Sequence, residues 1–396
     1  MNRKLIITKI EEKIWTALFE NDVLAELHCM PLKEEERNIF LGNIYVGKVK
    51  NVLPNIGAAF IEIADGVECY YSVYENPRPI FTHKTGKKGL CIGDELLVQV
   101  SKEAQKTKAP TVSSKLNFTG KYAVLTTGDT RLGISSKIPK EDRERFEGVL
   151  ATYASDAYGL IVRTNAADAD MEVIEREIKT LINEYERIIE NGKTRVCFSC
   201  LKTSSKQYLT ELRNIYQNGL MEIVVEDAEL YLEVKQFLSE EQPEDLKNLR
   251  FYQDTLLPLH KLYSIEKHIS EALREHVWLK SGAYLIIQPT EALTVIDVNS
   301  GKSTGEKRKE DTSLRVNLEA AQEVARQIRL RNLSGIIVVD FINMQNPKHM
   351  DLLLETLNRE LQKDAITTTL VDVTALQLVE ITRKKVRKPL HEAVRE

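Results

Sequence analysis

The sequence predicts a multidomain α+β protein. Short runs rich in β-branched and aromatic residues, broken by Gly, Pro and Asn, fill residues 39–105. A strongly charged helical stretch occupies 169–190, and two apolar runs, LTVIDV (293–298) and IIVVDF (336–341), flank a second helical stretch. At 396 residues the chain has room for roughly two to four domains with well-buried cores.

In chain order, LIITKI, KIWTALFE and VLAELHCM read as the strands of an opening hairpin over 3–29, with a turn at Asn21-Asp22. IFLGNIYVGKVKNVLP, GAAFIEIA, GVECYYSV and ELLVQVSK are spaced like the strands of a small β-barrel, and an OB-type barrel fits the length. NPRPIFTHKTGKKG (76–89), rich in Pro, Lys and Gly, reads as a mobile loop within it. Residues 121–164 open a new unit: strand YAVLTT, a turn, a charged helix near 140–153, then strand GLIVRT. The helix at 169–190 sets Ile174, Ile178, Leu181, Ile182 and Tyr185 on one face. Residues 207–240 alternate helix, strand (MEIVVE) and helix, and a long helix is expected near 264–276. No internal repeat interrupts this order.

Composition sets the class. Apolar residues at 42% and charged residues at 29% are ordinary for a soluble globular protein. No run of about 18 apolar residues predicts a membrane span, and the apolar stretch Leu5 to Ile7 is too short for a signal peptide, so the cytoplasm is the expected location. Cys29, Cys69, Cys91, Cys197 and Cys200 are too few and too scattered for a disulfide framework. Cys197 and Cys200 form a CxxC, but no second ligand pair completes a zinc site, and reduced structural thiols are the plainer reading. A net charge of −4 argues against a protein that wraps duplex DNA. Charge is nevertheless clustered. Lys302, Lys307, Arg308 and Lys309 form one basic group, Arg326, Arg329 and Arg331 a second, and Arg383, Lys384, Lys385, Arg387 and Lys388 a third. Each alone reads as a solvated face; together they point to a polyanion partner.

The last third carries the chemistry. LTVIDV and IIVVDF are nearly continuous apolar runs of the kind that form buried parallel strands. Between them a helix is expected over about 312–332, with Leu314, Leu318, Ala321, Ala325 and Ile328 on one face. Asp311 or Thr312 would cap its start, and Gly335 would serve the turn after its end. A strand-helix-strand crossover makes the two strands parallel. Asp297 and Asp340 then lie near the C-terminal ends of neighbouring strands, where sites form in open α/β sheets. Two carboxylates buried side by side need compensation, and a divalent cation supplies it; magnesium suits one or two carboxylates with water and phosphate oxygens. Asn299, two residues on, shares the strand face of Asp297 and could orient a water or touch a scissile phosphate. The plainer alternative is that each Asp merely ends a strand. SGKSTG is not a phosphate loop, because GxxxxGK[ST] is absent. Seven histidines, none in a Ser-His-Asp pattern, give no sign of a nucleophilic serine.

TEALTVIDVNSGK, EDTSLRVNLEAAQEVARQIRLRNLSGIIVVDFINM and LVEITRKK resemble the ribonuclease E/G family, and the resemblance extends from the opening hairpin to Lys385. It is closer to the shorter ribonuclease G type. The resemblance implies an endoribonuclease that hydrolyses single-stranded, AU-rich RNA, among it rRNA precursors and mRNA, in the bacterial cytoplasm. Its products would carry 5′-phosphate and 3′-hydroxyl ends, and a substrate 5′-monophosphate would stimulate it. Metal ligands fall on Asp297 and Asp340 and the supporting amide on Asn299, with Mg2+ as cofactor and Mn2+ as a substitute. Aromatic RNA contacts fall on Phe60 and Tyr70, the latter usually Phe in the family, and a basic contact on Lys108. The 5′-phosphate pocket falls on Arg163 and Thr164, with a backbone contact at Val124. For Phe60 a barrel-core role is the alternative, and for Arg163 a surface ion pair. The implied subdomains are RNase H-like (1–38 and 215–280), an S1 barrel (39–119), a 5′-sensor (120–214) and a DNase I-like catalytic part (281–396). Two departures stand out. The family's CPxCxG zinc-link is missing, so structural zinc is not expected, and a homodimer or homotetramer is left open. The motif DFIDM reads DFINM, with Asn343 replacing a carboxylate that is not an expected ligand. A non-catalytic RNA-binding scaffold of the same fold is the competing reading.

Overall fold

Asn21 and Asp22 both take left-handed backbone, with φ of 49° and 64°, the pattern that closes a two-residue hairpin turn. They join two strands of a three-strand meander: Arg3–Ile10, Lys13–Glu20 and Val23–Pro31. The computed structural model describes residues 2–32, 41–102, 109–215, 220–254, 256–301 and 309–395. The fold is mixed α+β, with a closed barrel and several sheets, and it divides into two units: Met1–Glu34 with Gln217–Glu396, and Glu35–Tyr216.

In the first unit, the meander is extended by Leu220–Val225 and Leu249–Phe251. Leu220–Val225 runs parallel to Arg3–Ile10, and Leu249–Phe251 runs parallel to Leu220–Val225. Ile6, Trp15, Leu27 and Val224 pack there with Leu259, Ile265 and Leu390. The expected long helix at 264–276 is two short ones, Leu259–Leu262 and Ile265–Ala272. Ser264 between them is left-handed (φ 51°), which breaks the helical path. His276–Trp278, a run of strand formers, then pairs with Tyr284–Pro289 instead of continuing the helix.

A six-stranded sheet completes this unit. Its order is His276–Trp278, Tyr284–Pro289, Leu293–Asn299, Gly335–Asp340, Leu378–Arg383 and Thr368–Val373. The central pair, Leu293–Asn299 and Gly335–Asp340, is parallel as the crossover requires. Ile296, Val298, Ile337 and Val339 face Val316, Ala320, Val324, Leu353 and Leu357 of the helices Lys309–Leu330 and Pro347–Leu361. The first helix starts earlier than expected, so Asp311 and Thr312 lie inside it and do not cap it. Glu310 and Asp311 instead place negative charge in its first turn. Its buried face centres on Val316, Ala320 and Val324, and Leu314 and Leu318 lie at its half-buried margins. Asn332 (φ 49°) ends the helix, with the Leu333 N–H donating back to the Ile328 carbonyl, and Gly335 (φ 83°) takes left-handed backbone where the chain enters the next strand.

In the second unit, Ile44–Leu53, Ala58–Ala64, Val67–Ser72, Thr111–Ser113 and Glu95–Lys102 pair in succession. The last strand returns to the first and closes a five-strand barrel. Ile61, Ile63, Cys69, Tyr71 and Val98 fill it. The segment 76–89 is not simply a loop. Ile80–His83 pairs with Glu95–Lys102, and the buried Asp94 carboxylate accepts from Lys84 Nζ, Thr85 N, Thr85 Oγ1 and Cys91 N. Burial opposes the Asp94 charge, but these donors hold its pKa well below the usual carboxylate range.

Beyond the barrel lie Asn117–Thr119, Ala123–Thr126, Gly159–Val162 and Leu132–Ile134 as a four-stranded sheet. The helices Lys140–Thr152 and Met171–Thr194 pack on it through Phe146, Leu150, Ile174, Ile178 and Leu181. Glu177 accepts from the backbone N–H groups of Lys121, Tyr122 and Ala123. A Cβ on Gly120 would lie 2.3 Å from its Oε1, so only glycine admits this contact.

Candidate active site

The six-stranded sheet is covered by helices on one face only. Along Leu293–Asn299, Thr294, Ile296 and Val298 are buried while Val295, Asp297 and Asn299 point the other way. Along Gly335–Asp340, Ile337 and Val339 are buried and Asp340 is exposed. Asp297 and Asp340 are direct register partners on the two parallel strands, so their side chains rise side by side from the open face, about 4.8 Å apart at the backbone. The Asn299 Nδ2 donates to Asp297 Oδ2 at 2.7 Å.

One expectation fails here. The carboxylates are not buried: Asp297 is half-buried and Asp340 exposed. Water can solvate them, so the cost of burying unpaired charge does not by itself demand a cation. The donor set still suits magnesium, which asks for one or two carboxylates and keeps several waters. Among the described residues no group of three or more His, Cys, Asp or Glu could enclose a metal. A site built here is therefore a two-carboxylate one open to solvent and substrate.

Residues that sequence reasoning passed over hold these strands in place. Asn317, fully buried on the crossover helix, donates through Nδ2 to the Ile342 carbonyl (2.7 Å) and accepts from the Ile342 N–H (3.0 Å). It clamps the backbone two residues beyond Asp340. Glu310 accepts from Gln345 N and Asn346 N, which fixes the same segment farther along. Glu319 accepts from Lys280 N and Ser281 N at the neighbouring turn. Gly301 (φ 55°) sits where a Cβ would meet the Gly282 carbonyl at 2.3 Å, so the chain leaving Asn299 is pinned against that turn. The one advance signal was Asn317 itself, a polar side chain at a core position of an apolar helix.

In the barrel, Phe60 and Tyr70 are register partners on adjacent strands, with ring centroids 6.4 Å apart and rings nearly perpendicular. Neither joins the barrel core, which decides against the core reading of Phe60. Its ring is half-buried and Tyr70 is exposed. Lys108 lies outside the described residues, as do Lys302, Lys307 and Arg308.

At the end of Gly159–Val162, Arg163 N–H donates to the Tyr122 carbonyl. Its guanidinium donates to the Gly120 carbonyl (2.6 Å) and to Asn214 Oδ1 (2.8 Å). These acceptors are neutral, so the surface ion-pair reading does not hold. Burial, with Arg213 nearby and Glu177 opposing, pushes the Arg163 pKa down to about 10. Thr164 Oγ1 is 2.8 Å from Ser135 Oγ. Val124 pairs with Ile161 on the neighbouring strand.

Much of the supposed basic surface is internal. Arg329 is buried and bonded to Glu20 and Glu26. Arg326 binds Glu323 and the Leu24 carbonyl, and Arg331 is buried with its Nε on Gln327. Arg383 is buried against Asp364 and Asn332. These cations build the fold and are not presented to a polyanion. Cys197 is half-buried, Cys200 is exposed, and both are free thiols.

The family model described as the Ribonuclease E/G family matches residues 117–386. The chain belongs to this family. Ribonuclease G of Escherichia coli (strain K12) is 32% identical over 401 residues, spanning 98% of this chain and 81% of that protein. Ribonuclease G of Haemophilus influenzae is 32% identical over 97% of this chain and 79% of its own length. Ribonuclease E of Nostoc sp. (strain PCC 7120) is 33% identical over 99% of this chain but 57% of its own length. Family membership thus spans both units, the barrel together with the two-carboxylate sheet.

Proposed function

We propose that the chain is a magnesium-dependent endoribonuclease that cuts single-stranded, AU-rich RNA in rRNA processing and mRNA decay. The observation that carries this reading is the in-register pair Asp297 and Asp340, with Asn299, on the open sheet face of a ribonuclease-family chain. Relatives named Ribonuclease G and Ribonuclease E over nearly the whole chain support it.

Asp297 and Asp340 would hold Mg2+, or Mn2+ in its place, and the ion would polarise a phosphoryl oxygen and favour water attack. Asn299 holds Asp297 by its Oδ2 and so orients the carboxylate. Among the described residues the Asp340 carboxylate has no hydrogen-bond or ion-pair partner, its backbone alone being paired in the sheet, which leaves its oxygens available. Attack of water on phosphorus breaks the bond to the 3′ oxygen, giving 5′-phosphate and 3′-hydroxyl ends. Phe60 and Tyr70 offer rings for base stacking, worth about 1–3 kcal/mol per base, and Lys108 a cation on the RNA path. Arg163 and Thr164, with the Val124 backbone, would receive a 5′-monophosphate, the group a guanidinium fork matches.

In this reading 1–38 with 215–280 is the RNase H-like part, 39–119 the S1 barrel, 120–214 the 5′-sensor and 281–396 the DNase I-like part. The barrel's closure in five strands supports the S1 assignment. The enzyme would work in the bacterial cytoplasm, as a homodimer or homotetramer. No helix among the described residues is long and apolar enough to cross a membrane.

The test is cleavage of a 5′-monophosphorylated AU-rich oligonucleotide with and without magnesium. Asp297→Asn and Asp340→Asn should each abolish cutting and leave RNA binding largely intact. Wild-type cutting by either variant would sink the assignment. Binding without cutting by the unmodified chain would favour the scaffold.

A further inference from the structure

Trp278 is 70% exposed on a three-residue edge strand. Edge strands are kept short and polar to avoid unwanted pairing, so a bare indole there serves no packing purpose. Its surroundings are specific. Val277 turns into the core, which sends His276 and Trp278 to the opposite, open face. On the next strand Leu285 and Ile287 face the core, and Tyr284 shares the open face. Trp278 is the register partner of Tyr284, and Tyr284 is the register partner of Asn299. One sheet row therefore runs Trp278, Tyr284, Asn299, two strand spacings or about 10 Å from end to end. Tyr284 also touches both exposed neighbours, with ring centroids 5.1 Å from Trp278 and 5.7 Å from His276. It braces the indole from the side and leaves ring surface open.

We propose that Trp278, braced by Tyr284, is a stacking platform for a nucleobase adjoining the scissile phosphate. The proposal rests on Asp297 and Asp340 being the cleavage site. A flat ring suits a base, since every base offers a π-face. His276 and Gln288 beside it are polar, while Val295 and Ile336 farther across the same face are exposed apolar groups, so a protein docked on this face is the other outcome that the test below separates. The platform would fix where the strand lies relative to Asn299, and so which bond is cut.

The test uses the full chain and a single-stranded RNA that is walked with one abasic site at a time. Trp278→Ala should slow cleavage of the intact strand about 5- to 150-fold, the range set by base stacking, and Trp278→Phe should restore most of it. The Trp278→Ala penalty should vanish for the strand whose abasic site sits at one position beside the cut. A penalty equal at all positions, or none, overturns the platform. A second readout needs no variant to fold. The chain has two tryptophans and Trp15 is buried, so quenching of the exposed indole by the same RNA in EDTA reports contact directly; unquenched emission with RNA bound also overturns it. Asp297→Asn in the same assay separates the two readings. If it cuts at the wild-type rate, the site falls. If it is inactive while Trp278→Ala is as fast as wild type, only the platform falls.

Discussion

Arg329 and Arg163 are both buried arginines, and they solve the same problem in opposite ways. Arg329 sits between Glu20 and Glu26, at 2.9 Å from each. Burial opposes its charge, but the two carboxylates outweigh that and hold its pKa above the ordinary value. Among the described residues the Arg163 guanidinium donates to a carbonyl and an amide oxygen; Glu177 attracts it from farther off, but burial and Arg213 leave its pKa low. A cation already neutralised by carboxylates is finished structure. A cation held by neutral acceptors keeps unspent attraction for an anion, which is what a phosphate pocket requires.

The largest effect should come from Arg329→Met. It leaves the partly buried Glu26 without its arginine, while Glu20 keeps Arg3 at 2.8 Å, and should cost about 3–5 kcal/mol, read as a lower denaturant midpoint. A loss under 1 kcal/mol would mean that the network is ornamental. Acid should be the next lever. Burial opposes the charge of Glu26, but Arg329, with His28, holds its pKa well below the usual carboxylate range. A depressed carboxylate contributes stability that is present above its unfolded pKa of about 4.3 and lost as pH falls toward the folded one. Wild-type stability should therefore decline steadily below about pH 5, and Arg329→Met should show a shallower decline; parallel curves would break the comparison. The smallest effect should be functional. Arg163→Ala should lower stability less than Arg329→Met does, yet narrow the rate advantage of 5′-monophosphate over 5′-hydroxyl RNA by about tenfold, the worth of one charge-assisted hydrogen bond. An unchanged ratio would return Arg163 to a purely structural role.

The same contrast explains what was legible in the sequence. Asp297 and Asp340 could be placed because a parallel crossover fixes which ends of two strands are neighbours, and the register bears this out. The barrel could be placed because its turns are marked by Gly, Pro and Asn. Charge was not legible in this way. A run of arginines reads the same whether it faces water or, as with Arg329 and Arg383, a carboxylate distant in sequence. Exposure of the two aspartates was also hidden, since an apolar strand does not reveal whether one face or both are covered. Ser264 concealed the helix break, because serine rarely adopts left-handed backbone and nothing nearby announced it. Trp278 was passed over for a related reason: a tryptophan in a strand looks like core until its neighbours show which side is covered.

The parallel pairing of Arg3–Ile10 with Leu220–Val225 has a consequence for how the chain is born. The meander is made before the Glu35–Tyr216 unit, but the strand that covers its edge is made only after the whole of it. During that interval Arg3–Ile10 is an unpaired apolar edge of the kind that captures other chains. The inserted unit, contiguous in sequence, can close its own contacts at once. The unit bearing Asp297 and Asp340 must instead wait for its second segment, made after the inserted unit, before its long-range contacts can close.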